Sequence, residues 1–177
     1  SSSDVLVNAI MRAGKCFISY EIARALKAKK ILIVTAKVGV NDSWASLLPG
    51  GEESHVYYND WKYHNYKKIK ELEFQGTDVV FVSLQFINKH FGSNNKLIKQ
   101  IFDTSWDCIF FDEQHYATTT DNTQRLWDNL SFKHKVELSG TPYKTLLSGR
   151  YDYSDVYNFD YIDEQEIRKR VQNALEN

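Results

Sequence analysis

Cysteine is scarce in this chain of 177 residues: Cys16 and Cys108 are its two. Two are too few for a disulfide framework, and a reducing cytoplasmic setting is expected. No apolar run reaches the roughly 18 residues that a membrane span needs, and no charged-then-apolar leader is present. Neither membrane insertion nor export is therefore expected. A surplus of positive charge is missing as well. Lys and Arg number 22 against 23 Asp and Glu, a formal net charge of −1. That argues against a protein coated in basic charge, such as an architectural DNA binder, but leaves room for a local basic groove. There is no internal repeat and no low-complexity linker.

What remains is an ordinary globular composition, 42% hydrophobic and 25% charged, in a length that can bury a real core. Short apolar runs alternate with helical periodicity along the chain. Strands are expected at residues 4–8, 31–36, 78–83, 107–112 and 134–139, with a short one at 55–58. Helices are expected at 15–28, with Ile18, Ile22 and Leu26 on one face, and at 43–48, ended by Pro49-Gly50-Gly51. A further helix is expected at 62–74, with Tyr66, Ile69 and Leu72 turned inward. Another follows residue 83, breaks at Gly92-Ser93-Asn94-Asn95 and resumes over 96–102. Asp121 starts a helix carrying Leu126, Trp127 and Leu130, and 163–174 reads as a charged helix with a thin stripe of Ile167, Val171 and Leu175. This order predicts an α/β domain with a mainly parallel sheet flanked by helices. Such sheets bind ligands at the carboxyl ends of their strands, so the residues just after each strand are where chemistry is expected.

Three of those places carry patterns. After the first strand stands "AIMRAGKC", residues 9–16. The phosphate-loop pattern G-x-x-x-x-G-K-[ST] is met at Gly14 and Lys15, with Ala9 at its first position and Cys16 at its last. Gly14 lets backbone amides approach phosphate oxygens, and the helix that follows adds its positive end. Lys15 would reach the terminal phosphates. An ordinary strand-to-helix turn with a solvated lysine competes with this reading on about even terms. After the strand at 107–112 stands "DEQH", residues 112–115. Asp112 is placed to hold Mg²⁺, which prefers oxygen ligands, and Glu113 to position a water as general base. An acidic strand cap and a surface His115 are the plain alternatives, and zinc is not expected because no second His or Cys stands at ligand spacing. After the strand at 134–139 stands "SGTP", where Ser139, Gly140 and Thr141 place small groups at a sheet edge. Each pattern alone is weak. All three in order, each at a strand end, point to a nucleotide site.

With these residues in view, the chain resembles the first motor domain of superfamily 2 helicases and translocases. It is most similar to the branch that includes the helicase subunits of type I and type III restriction enzymes. Residues 9–16 match motif I, "DEQH" matches motif II of the DExH type and "SGTP" matches motif III. "IVTAK" at 33–37 looks like motif Ia, and "VSLQ" at 82–85 resembles a later DNA-contacting motif. The resemblance runs from Val5 to Leu146. It implies a RecA-like phosphate-loop fold and an ATP hydrolase that uses ATP and Mg²⁺ and is coupled to movement on DNA. Ala9, Met11, Arg12, Ala13, Gly14, Lys15 and Cys16 would form the nucleotide cradle. Asp112 and the residue at position 16 would stand at the metal, and Glu113 would activate water. Gln114 and His115 would link the site to motif III, where Ser139 and Thr141 transmit the nucleotide state. Thr35, Lys37, Ser83 and Gln85 would contact the nucleic-acid backbone, which positions a strand without reading its sequence.

Two departures sharpen the expectation. Cys16 replaces the usual hydroxyl, and a thiol is a poor ligand for a hard cation. Second, the motors of this family close ATP between two such domains, and the second supplies arginines. Arg150 has no such context. A RecA-like domain is thus expected over residues 1–147, and a Tyr/Asp-rich extension and helix over 148–177 that lead to a second motor domain of a longer protein. By itself the chain is expected to bind nucleotide weakly and turn it over negligibly. The rival reading is a non-catalytic nucleic-acid-binding or regulatory module on the same fold. A small-molecule kinase is a third, disfavoured because no phosphate-clamping arginine cluster is found.

Overall fold

The computed structural model describes residues 3–9, 14–36, 39–112, 121–139 and 156–159, with backbone alone for 3–9, 121–122, 139 and 156–159. Seven strands form one sheet in the order β3-β4-β2-β5-β6-β1-β7, and every neighbouring pair is parallel. The strands are β1 (Ser3–Ala9), β2 (Lys30–Thr35), β3 (Trp61–Asn65), β4 (Thr77–Ser83), β5 (Ser105–Asp112), β6 (Ser131–Ser139) and β7 (Val156–Phe159). Helices α1 (Lys15–Ala25), α2 (Asn41–Ala45), α3 (Leu84–His90), α4 (Lys96–Asp103) and α5 (Asp121–Asn129) fill the crossovers. The parallel α/β class is the one expected from the alternation of strand and helix, and its RecA-like form is the one the family resemblance implies.

The central strands explain themselves by composition. β2, β4 and β5 are rich in Val, Ile and Phe and are buried on both sides, as strands covered by helices must be. Alternate residues feed two separate cores. On one face Ile31, Ile33, Val79, Phe81, Cys108 and Phe110 meet α1 through Phe17, Ile18, Tyr20 and Ala23. On the other, Leu32, Val34, Val80, Val82, Ile109 and Phe111 meet α3, α4 and α5. A one-residue slip of any of these strands would exchange the two layers, so the register is firmly specified.

Three local expectations change. Residues 62–74 do not form a helix: Trp61–Asn65 is β3, pairing with Thr77–Phe81 as the sheet's edge. The aromatic, period-two start of this segment favours a strand, and tertiary pairing wins over the helical spacing read further on. Tyr66, Ile69 and Leu72 do turn inward against the second core, from irregular chain. Residues 55–58 form a turn of 3-10 helix (Val56–Tyr58) rather than a strand, capped when His55 Nδ1 accepts from the Tyr57 N–H at 3.4 Å. The helix at 43–48 begins earlier, at Asn41, and is one turn long. Within the extension, Val156–Phe159 adds β7 beside β1. The helix expected at 163–174 lies outside the described residues.

β6 holds an unusual buried pair that its sequence does not announce. Lys135 Nζ lies 3.3 Å from Glu137 Oε1, and Lys135 also stands 4.8 Å from the centre of the Trp127 ring. The contact is an ion pair without hydrogen-bond alignment, because among the described residues neither Glu137 oxygen has a hydrogen-bond partner.

Candidate functional site

The site lies where β1, β2 and β5 end. Gly14 takes a left-handed conformation (φ 69°, ψ 34°) immediately before α1, which glycine adopts without strain. α1 thus starts directly from the loop. The Ile18 N–H donates to the Gly14 carbonyl at 3.0 Å, and the Ser19 hydroxyl to the Lys15 carbonyl at 2.7 Å, locking the first turn. No acidic side chain occupies that turn, so its positive end is not neutralised locally.

Lys15 and Asp112 are 97 positions apart and meet here. Lys15 Nζ lies 3.4 Å from Asp112 Oδ1, with side-chain exposures of 14% and 8%. Asp112 is the last residue of β5 and pairs in register with Thr35, the last of β2. The Ala36 N–H donates to the Asp112 carbonyl at 3.3 Å, which fixes the strand ends against each other. The carboxylate is held less firmly than the backbone. A charged hydrogen bond is ordinarily about 2.8 Å, so the 3.4 Å contact is loose. Among the described residues it is the carboxylate's one charged partner.

Cys16 follows at the start of α1 and packs against the α1-side core. Burial pushes its thiol well above the ordinary range, and the Asp112 carboxylate pushes the same way, against the weaker pull of Lys15. The thiol therefore stays protonated and is a poor ligand for Mg²⁺. Asp112 supplies the oxygen donor such a cation prefers. Asp112 and Lys15 are thus the groups whose chemistry would suit a Mg²⁺-bound phosphate, and the thiol at position 16 does not suit the cation. Among the described residues no cluster of three or more His, Cys, Asp or Glu side chains is found.

The structure brings Lys15, Cys16 and Asp112 together with Gly14, and puts Ala9 at the end of β1. Met11, Arg12, Ala13, Lys37, Glu113, Gln114, His115 and Thr141 lie outside the described residues, and Ser139 is described as the backbone end of β6. Thr35 and Ser83 end adjacent strands and are both buried. The Ser83 hydroxyl is engaged, accepting from the Phe86 N–H at 3.2 Å as the cap of α3 and donating to the Tyr66 hydroxyl at 3.1 Å. Gln85 is exposed in the first turn of α3.

Sequence reading missed a polar cluster beside these strand ends. Asn41 Oδ1 accepts from the Tyr63 hydroxyl and from Asn65 Nδ2, each at 2.8 Å. It joins α2 to β3 across 22 and 24 positions, so no local pattern marks it.

Comparison with known proteins agrees with this geometry. The family model described as "Type III restriction enzyme, res subunit" matches residues 2–144. A putative type II restriction enzyme and methyltransferase of Mycoplasma pneumoniae, RM.MpnORF110P C-terminus, is 27% identical; the match covers 96% of this chain and 30% of that protein. Among solved structures, the SWI2/SNF2 ATPase core of Sulfolobus solfataricus in complex with dsDNA superposes with a TM-score of 0.59 at 14% identity, covering 83% of this chain and 30% of that one. The SWI2/SNF2 ATPase core domain of the same organism gives 0.55 at 14% identity, over 82% of this chain and 28% of that one. At that identity the likeness shows the fold. The chain spans about 30% of the length of the curated relative it matches.

Proposed function

The chain belongs to the type III restriction res-subunit family, and from that premise we propose that it is the ATP-binding half of a DNA translocase or helicase of the restriction type. It carries a superfamily 2 helicase-like RecA domain. The observation behind the reading is the meeting of Lys15 and Asp112 under a left-handed Gly14, at the carboxyl edge of a parallel sheet. Two charges loosely paired at a helix start form a preset phosphate and cation site.

In this reading Lys15 leaves Asp112 and holds the terminal phosphates, while Asp112 holds Mg²⁺ directly or through water. Bound Mg²⁺-ATP supplies the phosphoryl group whose transfer to water drives movement. Glu113 orients that water and takes its proton on a carboxylate oxygen. Ser139 and Thr141 carry the nucleotide state outward, with Gln114 and His115 between. Thr35, Lys37, Ser83 and Gln85 line the nucleic-acid side. Ser83 serves it by fixing α3, since its own hydroxyl is already engaged. A second RecA-like domain completes the site in the longer protein and supplies the arginine that stabilises the transferred phosphate, worth several powers of ten in rate.

One observation favours a second reading, a non-catalytic module on this fold. Cys16 holds a protonated thiol where a metal-binding hydroxyl is usual. The two readings separate in an ATPase assay on the full-length protein with and without DNA. DNA-stimulated hydrolysis that disappears in Lys15→Ala supports the motor. Absence of any Lys15-dependent hydrolysis supports the module.

A further inference from the structure

The β3–β4 edge of the sheet lies four strands from β1, roughly 20 Å away at the usual strand spacing. Lysine outnumbers acid there. Residues 61–102 contain seven lysines against Glu71, Glu73 and Asp78, of which Asp78 is buried and Glu71 pairs with Lys96, in a chain whose net charge is −1. Lys67 and Lys68 follow the carboxyl end of β3, Lys89 lies on α3, and all three are exposed. Among the described residues none of the three is paired with a carboxylate.

Aromatic rings run through the same surface. The Tyr66 and Phe86 rings are 4.8 Å apart, and Phe86 and His90 are 4.6 Å apart. All three rings are half-buried. Phe86, Lys89 and His90 are three and four positions apart on α3 and so share one face. Lys67 Nζ lies 5.9 Å from the centre of the Tyr66 ring. The row is also held in place, because Ser83 Oγ bonds the Tyr66 hydroxyl and caps α3 in front of Phe86. Rings fixed in advance lose little freedom when a ligand stacks on them.

We propose that this ridge binds an unpaired stretch of nucleic acid, with Lys67, Lys68 and Lys89 on its phosphates and a base stacked on the Tyr66–Phe86–His90 row. Lysines interleaved with aromatic rings are the arrangement that tracks a single strand without reading its sequence. A duplex keeps its bases stacked internally and offers nothing to the rings. The proposal rests on the reading of the chain as a nucleic-acid motor and adds to it where the strand runs.

The test is fluorescence anisotropy with a labelled oligothymidylate, a duplex and heparin over a salt series, alongside titration with a fluorescent ATP analogue. The K67A/K68A/K89A variant is expected to lower the slope of log affinity against log salt by about 2, at about 0.7 per phosphate contact. Phe86→Leu is expected to weaken oligothymidylate binding about tenfold, with the slope, heparin binding and nucleotide affinity unchanged. Unchanged nucleotide affinity shows that each variant is folded. An unaltered slope in the triple variant overturns the proposal, as does failure of the parent protein to bind oligothymidylate. Full binding by Phe86→Leu, or equal loss on duplex and heparin, also overturns it, by leaving a plain electrostatic surface. Should the parent bind no nucleotide while the variants behave as expected, the ATP-site reading fails and the ridge stands.

Discussion

The two ends of the parallel sheet treat their carboxylates differently. At the amino end, Asp78 is fully buried and fully engaged: it accepts from the Gln75 and Gly76 N–H groups at 3.0 and 2.9 Å and meets His64 Nε2 at 2.7 Å. Asp107, also at that end, accepts from the Lys29 and Lys30 N–H groups at 2.9 and 3.0 Å and from Lys133 Nζ at 2.6 Å. At the carboxyl end, among the described residues, the Asp112 carboxylate makes one loose contact, of 3.4 Å to Lys15. Bonds of ordinary length close loops and tie strands. Among the described residues, the carboxylates that tie strands and loops thus stand at the amino end, and the carboxylate proposed to hold the cation stands at the other, where ligands of open α/β sheets are expected.

The sharpest way to break this contrast is to exchange fates. Asp78→Ala strands two backbone N–H groups and His64, and is expected to lower unfolding free energy by about 3 kcal/mol, read by urea denaturation. Asp112→Asn keeps the side-chain shape and gives up one loose contact, so it is expected to cost less stability than Asp78→Ala while reducing DNA-stimulated ATP hydrolysis of the full-length protein at least roughly a hundredfold. If the two substitutions affected stability equally, the contrast between the ends would be lost. Cys16→Thr is expected to strengthen Mg²⁺-dependent nucleotide binding about tenfold, by restoring an oxygen donor beside Asp112. No change would place position 16 away from the metal.

The smallest effect concerns pH. Burial alone would raise Asp107, but its bonds from Lys133 and the Lys29 and Lys30 N–H groups outweigh that and hold its carboxyl below the usual range. The unfolded chain, with an ordinary carboxyl near pH 3.9, therefore takes up the proton first as acid is added. The stabilisation is present above that pH and fades as pH falls below it. Asp107→Asn should melt a few degrees lower at neutral pH, and the difference should shrink below about pH 4. A difference independent of pH would assign the loss to shape rather than charge.

Much of this was readable beforehand. β2, β4 and β5 are continuous apolar runs with one order and one reading, and Lys15 and Asp112 stand at predicted strand ends where they in fact meet. The sequence suggests a helix at 62–74 because the aromatic alternation of Trp61–Asn65 is short and Tyr66, Ile69 and Leu72 keep a helical spacing while packing inward from irregular chain. The protonated state of Cys16 depends on burial against the α1-side core, which spacing does not show. The Tyr66–Phe86–His90 row joins residues from two different connections, so no local pattern could reveal it. The carboxylates at the amino end were unreadable for the same reason: Asp107 meets Lys29 and Lys30 across more than 70 positions.

The claim that Lys15 and Asp112 form a nucleotide site is tested most directly by titrating a fluorescent ATP analogue, with Mg²⁺, into the parent chain and its Lys15→Ala variant. The expected result is saturable binding by the parent and a loss of at least about tenfold in affinity in the variant, with melting temperature unchanged. Equal affinity in the two proteins would contradict it.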